Sequence, residues 1–179
     1  MSVSPEVHAR FIALASRSLH KTESDEAAAA EVESFLAEHR GFVDVNVTCK
    51  YGYTALWSAA GNGRRNTVAL LLRHGARAAL GAVLHRPARF GHLELVKMLL
   101  EAGADPNIRD HLHETAASVA RDRNHSDIVD LLRRSESVNQ ELLAKLFALA
   151  QDGKDDGKAV EAMLAEHKGK LNVNAVDAR

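Results

Sequence analysis

The chain has 179 residues, of which 46% are apolar, 4% aromatic and 26% charged, with a formal net charge of -1. Abundant Ala and Leu with few aromatics argue for helices and against a β-sandwich. Cys49, the only cysteine, excludes an internal disulfide framework and points to a reducing, intracellular and cytoplasmic setting. Near-neutrality excludes a global attraction to nucleic acid or anionic lipid, and no run approaches the ~18 consecutive apolar residues of a membrane span.

The first predicted element is a helix opened by Ser4 and Pro5 and carrying Phe11 and Leu14. After a polar loop from His20 to Glu26, a second helix runs from about Ala27 to His39 and stops at Gly41. Three self-similar segments follow, Leu56-Trp-Ser-Ala-Ala-Gly-Asn-Gly63, Leu84-His-Arg-Pro-Ala-Arg-Phe-Gly91 and Ala117-Ser-Val-Ala-Arg-Asp-Arg-Asn124, each with Gly or Asn seven positions after its first residue. Behind each lies an apolar run at helical spacing: Val68, Leu71, Leu72; Leu95, Val96, Leu99, Leu100; Ile128, Val129, Leu131, Leu132. Gly75-Ala76 and Gly103-Ala104 close the first two runs. The unit is therefore short helix, tight turn, second helix, glycine stop.

The C-terminal region repeats the N-terminal one. Val32-Glu33, Leu36-Ala-Glu-His39, Gly41 and Val45-Asn46 recur as Val160-Glu161, Leu164-Ala-Glu-His167, Gly169 and Val173-Asn174. The organisation read from these patterns is a divergent helix pair with a finger over 1–49, repeats over 50–78, 79–107 and 108–136, and a C-terminal helix pair over 137–179. A last pair left open at that end implies self-association, or an architectural role as one stretch of a longer repeat array without a ligand of its own.

The stretch Gly91-His92-Leu-Glu-Leu-Val-Lys-Met-Leu-Leu-Glu-Ala-Gly-Ala-Asp-Pro-Asn107 resembles the ankyrin repeat, and Gly52-Tyr-Thr-Ala-Leu56 is similar to that family's finger opening with Ala55 in place of proline. The resemblance covers residues 50 to 134 and implies an all-α ankyrin-repeat solenoid, in which helix-turn-helix units stack and short finger loops project. Two departures stand out. Gly75 and Gly103 lie 28 residues apart, against about 33 for the family, so the middle finger is shortened; Pro87 inside its inner helix predicts a short or distorted element. In the third repeat His113 takes the place of the finger glycine and Ala117 that of a packed leucine.

Chemistry is sparse. Arg73-His74-Gly75 is similar to the signature of histidine phosphatases, but it falls where a repeat's outer helix ends. His111, His113, Glu114 and His125 lack the spacing of a metal site. Gly61-Asn-Gly-Arg64 lacks the Lys and Ser/Thr of a phosphate loop. No catalytic, cofactor or metal residues are therefore assigned.

What remains is surface. The ankyrin resemblance implies a non-catalytic protein-binding module, acting as scaffold, adaptor or inhibitor through its concave face and fingers. Carried over position by position, it exposes Lys50, Tyr51 and Tyr53, with Trp57, Ser58 and Asn62 behind them, then Arg86, Arg89 and Phe90, then His111, Leu112, Glu114, Asp122 and Arg123. Tyr, Trp and Arg are the usual anchors of interfaces. Trp57 has a second reading, as a plug for the gap left by the short finger. Arg64, Arg65, Arg73, Arg77, Arg86, Arg89 and Lys97 are opposed in their stretch by Glu94 alone, which predicts an acidic protein segment as partner.

Overall fold

The computed structural model describes residues 5–16, 24–78, 82–151 and 158–166. Its elements are α1 (Pro5–Ser16), α2 (Asp25–Glu38), α3 (Ala55–Gly61), α4 (Arg65–Arg73), α5 (His85–Arg89), α6 (Leu93–Glu101), α7 (Ala116–Asp122), α8 (Ser126–Gln151) and α9 (Lys158–Glu166). Helices α1, α3, α5 and α7 pack in one row and α2, α4, α6 and α8 in a second, each inner helix against its own outer partner.

Small and branched residues make this stacking possible. Ala55, Ala59, Ala60, Ala88, Ala116 and Ala120 let the short inner helices approach closely, while Val68, Leu71, Val96, Leu99, Ile128 and Leu132 fill the seam beneath the outer row. In the first unit the space is larger, and Phe11 and Phe35 fill it with ring centroids 6.2 Å apart. Among the described residues the core is thus a continuous seam with no central aromatic mass.

Local chemistry sets the ends of the helices. Ser24 caps α2 and Thr54 caps α3, each hydroxyl accepting the N–H three residues on, from Ala27 and Trp57. Thr115 and Ser118 form a reciprocal capping box at α7. Helix α5 has no side-chain cap and is five residues long, with Pro87 inside it, as its sequence predicts. At the tight turns between inner and outer helices the backbone turns left-handed at Gly63, Gly91 and Asn124, with φ of 74°, 74° and 60°. His113 takes the same region, φ 60°, in the third finger, where the first has Gly52.

Two fingers are built alike. Antiparallel bridges join Thr48 to Thr54 and Arg109 to Thr115, with Cys49 N–H donating to Tyr53 O at 2.9 Å and Asp110 N–H to Glu114 O at 3.0 Å. Asn46 ties the first finger to the next unit, its amide donating to Gly75 O at 3.1 Å and its Oδ1 accepting Arg77 N–H at 2.8 Å.

Three features differ from the sequence expectations. Arg64, counted from the sequence among the basic residues that predict an acidic partner, is fully buried, and Nη1 donates to Leu14 O at 3.2 Å; with Asn62 Nδ2 donating to Ser16 O at 2.8 Å, it covers the bare carbonyls at the end of α1. Ser58, expected on the open face, is buried. A boundary between units at 136 and 137 falls inside α8, which runs unbroken for 26 residues, so the outer helix of the third repeat and the first helix of the C-terminal pair are one element. The C-terminal motif from His167 onward lies outside the described residues, as does Ser4.

Candidate functional site: a groove between two fingers

Between the first and third fingers lies a groove of about 830 Å³. The first finger and α3 supply Thr48, Gly52, Tyr53, Thr54 and Trp57; α5 and the residues around it supply Ala82, His85, Arg86, Arg89 and Phe90; the third finger supplies Arg109, Asp110 and His111, with Val119 of α7 behind them. Of the residues singled out from the sequence, Tyr53, Trp57, Arg86, Arg89, Phe90 and His111 meet here.

The aromatic side of the groove is ordered by stacking. Tyr53 lies on Trp57 with centroids 3.9 Å apart and planes 11° from parallel. The Arg86 guanidinium sits 5.1 Å from the Trp57 ring and 5.9 Å from the Phe90 ring, a geometry in which the ring quadrupoles attract the cation. Arg86 reaches this place by crossing Gly61: a Cβ there would stand 2.7 Å from Nε and 2.8 Å from Cδ and Cζ. The absence of a side chain on Gly61 therefore positions Arg86. Trp57 is half-buried and lines the groove, so it both packs and contributes surface.

The other wall is polar. His85 is 7% exposed, and its Nε2 lies 2.8 Å from Glu114 O, linking α5 to the third finger. Asp110 Oδ1 accepts the N–H groups of Leu112 at 2.8 Å and Glu114 at 3.1 Å. Partial burial opposes ionisation of Asp110, but those two hydrogen bonds and the fields of His85 and His111 outweigh it and hold the carboxyl below its ordinary value. Arg109 Nη1 donates to His113 O at 2.7 Å and steadies the finger.

The remaining predicted residues lie elsewhere. Lys50 and Tyr51 are exposed on the first finger, with Lys50 Nζ 5.0 Å from the Tyr51 ring, and Tyr51 is 70% exposed. Leu112 is exposed on the third finger, Glu114 is half-buried, and Arg123 is exposed at the end of α7. Sequence reasoning missed His85, Arg109, Asp110 and Val119; the repeat register carried a signal for His85, which occupies in its unit the place of Trp57. The Arg73-His74-Gly75 run is the C-terminal turn of α4, with His74 N–H donating to Leu70 O at 3.1 Å. Among the described residues no cluster of three or more His, Cys, Asp or Glu could hold a metal, and no helix is long and apolar enough to cross a membrane.

Comparison with known proteins agrees with this architecture. Residues 51–80 and 82–111 match the ankyrin repeat model. The chain carries ankyrin repeats, and its fold is an all-α ankyrin-repeat solenoid. It is similar to the probable E3 ubiquitin-protein ligase XBOS33 of Oryza sativa subsp. japonica, 39% identical over 62 residues, 35% of this chain and 12% of that protein. The E3 ubiquitin-protein ligase hecd-1 of Caenorhabditis elegans is 36% identical over 90 residues, 49% of this chain and 3% of its own. The B-cell lymphoma 3 protein homolog of Mus musculus is 33% identical over 112 residues, 60% of this chain and 24% of its own. The chain thus spans a quarter or less of each of these relatives. Ankyrin repeats generally mediate protein–protein interaction, and the repeat units are typically non-catalytic.

Proposed function

We propose that the chain is a non-catalytic protein-binding module, a scaffold, adaptor or inhibitor, that holds its partner on the concave face and fingers. The observation that supports this reading is the groove, where stacked aromatics and arginines converge from two fingers and the helices between them. Tyr and Trp lose little conformational freedom on burial for the area they contribute, and aromatic and arginine side chains dominate interface energetics. Lys50, Tyr51 and Leu112 extend the surface along the fingers, and Arg123 is exposed at the end of α7.

A pulldown from the source cell, comparing the native chain with a Tyr51→Ala, Tyr53→Ala, Arg89→Ala variant of equal stability, tests it. Bands retained by the native chain and lost by the variant are expected. An identical set of bands would refute the reading.

A second reading, an architectural segment that self-associates near its C-terminal end, draws on Val138 and Phe147, which are 49% and 48% exposed on α8. Sedimentation of the native chain and of a Val138→Ser, Phe147→Ser variant separates the two. Concentration-dependent dimerisation abolished by the substitutions supports the architectural role, and a monomer at all concentrations removes it.

A further inference from the structure

The groove has a cause in the covalent chain. From the glycine that ends one outer helix to the packed residue of the next inner helix, the first unit takes fifteen positions (Gly41 to Leu56), the third fourteen (Gly103 to Ala117) and the middle one nine (Gly75 to Leu84). The paired fingers run from Thr48 to Thr54 and from Arg109 to Thr115, and the middle connection is six and five residues shorter than those that carry them. Stacked helices lie ~8–10 Å apart, so the two fingers, two units apart, stand ~16–20 Å from each other. One hairpin, two strands at about 4.8 Å, fills half of that span. The groove lies between the two paired fingers, beside the unit whose connection is shortest.

Its lining is asymmetric in charge. Arg86, Arg89 and Arg109 face into it against one carboxylate, Asp110, which already accepts two backbone hydrogen bonds. A carbonyl oxygen only accepts, so the contact between His85 Nε2 and Glu114 O places a proton on Nε2. Among the described residues the second ring nitrogen, Nδ1, has no hydrogen-bond partner, and it belongs to a side chain more than nine-tenths buried that lines the groove. An orphaned polar atom of this kind costs free energy until a partner reaches it.

Resting on the protein-binding reading above, we propose that the groove between the two paired fingers receives an extended acidic peptide of a protein partner. Its carboxylates pair with Arg86, Arg89 and Arg109, its apolar side chains lie on Trp57 and Phe90, and a backbone polar group bonds His85 Nδ1. The backbone is extended because a helix spends its interior N–H and C=O groups on one another, whereas an extended segment presents them outward.

The test uses the full chain and two fluorescein-labelled heptapeptides, one alternating Glu and Leu, the other with every Glu replaced by Gln. Binding is read by anisotropy and by the emission of Trp57, the only tryptophan. The acidic peptide is expected to bind and to alter Trp57 emission, with binding weakened by salt. The Gln peptide, and the chain carrying Arg86→Gln and Arg89→Gln, should each bind about tenfold more weakly or worse. A variant with a finger-length insertion between Arg77 and Val83 should lose binding without losing helix content. Equal affinity for both peptides, indifference to the arginine substitutions, displacement by equimolar inorganic phosphate, or no binding at about 1 mM peptide would each overturn the proposal. If they do so while partner capture still depends on Tyr51, Tyr53 and Arg89, the protein-binding reading stands without the acidic peptide.

Discussion

Replacing Gly61 by Ala tests whether the groove is built as described. The new methyl group would stand 2.7–2.8 Å from Nε, Cδ and Cζ of Arg86, too close for the guanidinium to remain. Arg86 is only half-buried and can swing toward solvent, so the fold has an escape. Ala in place of a helical Gly contributes about 0.5–1 kcal/mol. Against this, Arg86 loses its contacts with the Trp57 and Phe90 rings, at about 0.5–1 kcal/mol each for partly exposed pairs. The loss outweighs the gain slightly, and the expected net loss is about 0–1.5 kcal/mol. The local effect is larger: Trp57 loses the cation covering its face, and its emission moves to the red. Urea unfolding followed by circular dichroism gives the first quantity, and Trp57 fluorescence of the native state gives the second. An unchanged spectrum would show that Arg86 does not rest on Trp57. A loss above about 2 kcal/mol would show that the methyl meets something that cannot yield.

The neighbouring Gly63→Ala should be worse than Gly61→Ala by about 1–2 kcal/mol in the same urea experiment, because its φ of +74° disfavours a side chain and a Cβ would meet His92 Nε2 at 2.8 Å. Leu71→Ala empties a fully buried site in the seam and should cost about 2–5 kcal/mol. Thr115→Ala breaks the capping box of α7 and should cost about 1 kcal/mol. Burial first, and His125 second, hold the His92 ring below its ordinary value of 6.5. As pH falls the unfolded chain therefore takes up this proton before the folded one. The stability it contributes is full above about pH 6.5 and declines as pH drops toward the folded value; His92→Gln should flatten that part of a urea-midpoint curve, and an unaltered curve would contradict the assignment.

The helix-pair unit was legible because three physical signals coincide in one period: an alanine-rich inner stretch, a left-handed turn residue at Gly63, Gly91 or Asn124, and an apolar outer run. The shortness of α5 was legible in Pro87 and in the reduced spacing. Burial of Arg64 was not, since a lone arginine after a glycine turn reads as solvated until the carbonyls of Leu14 and Ser16 are brought above it by stacking. The unbroken α8 is legible in the missing stop, since no Gly or Pro stands between Asp127 and Asp152, although the internal similarity to the first helix pair implies a break there. In the groove, the aromatic and arginine residues were visible as types, but their convergence depends on a deletion whose effect is spatial. His85 and Asp110 became visible only when the fingers were placed, because each is defined by a partner in another unit or by the turn it closes.

The long helix α8 has a consequence for how the molecule comes apart. Ile128, Val129 and Leu132 anchor its first half in the stacked seam, whereas its second half leaves Val138 and Phe147 about half exposed. At 1.5 Å per residue its 26 residues extend about 39 Å, so one rigid-looking rod spans two thermodynamic compartments. Amide protons ahead of Ser135 should exchange only with opening of the repeats, and those beyond it through a cheaper fraying that leaves the repeats closed. The frontier of cooperative unfolding then lies in the middle of a secondary-structure element, drawn by burial and marked by no bend in the backbone.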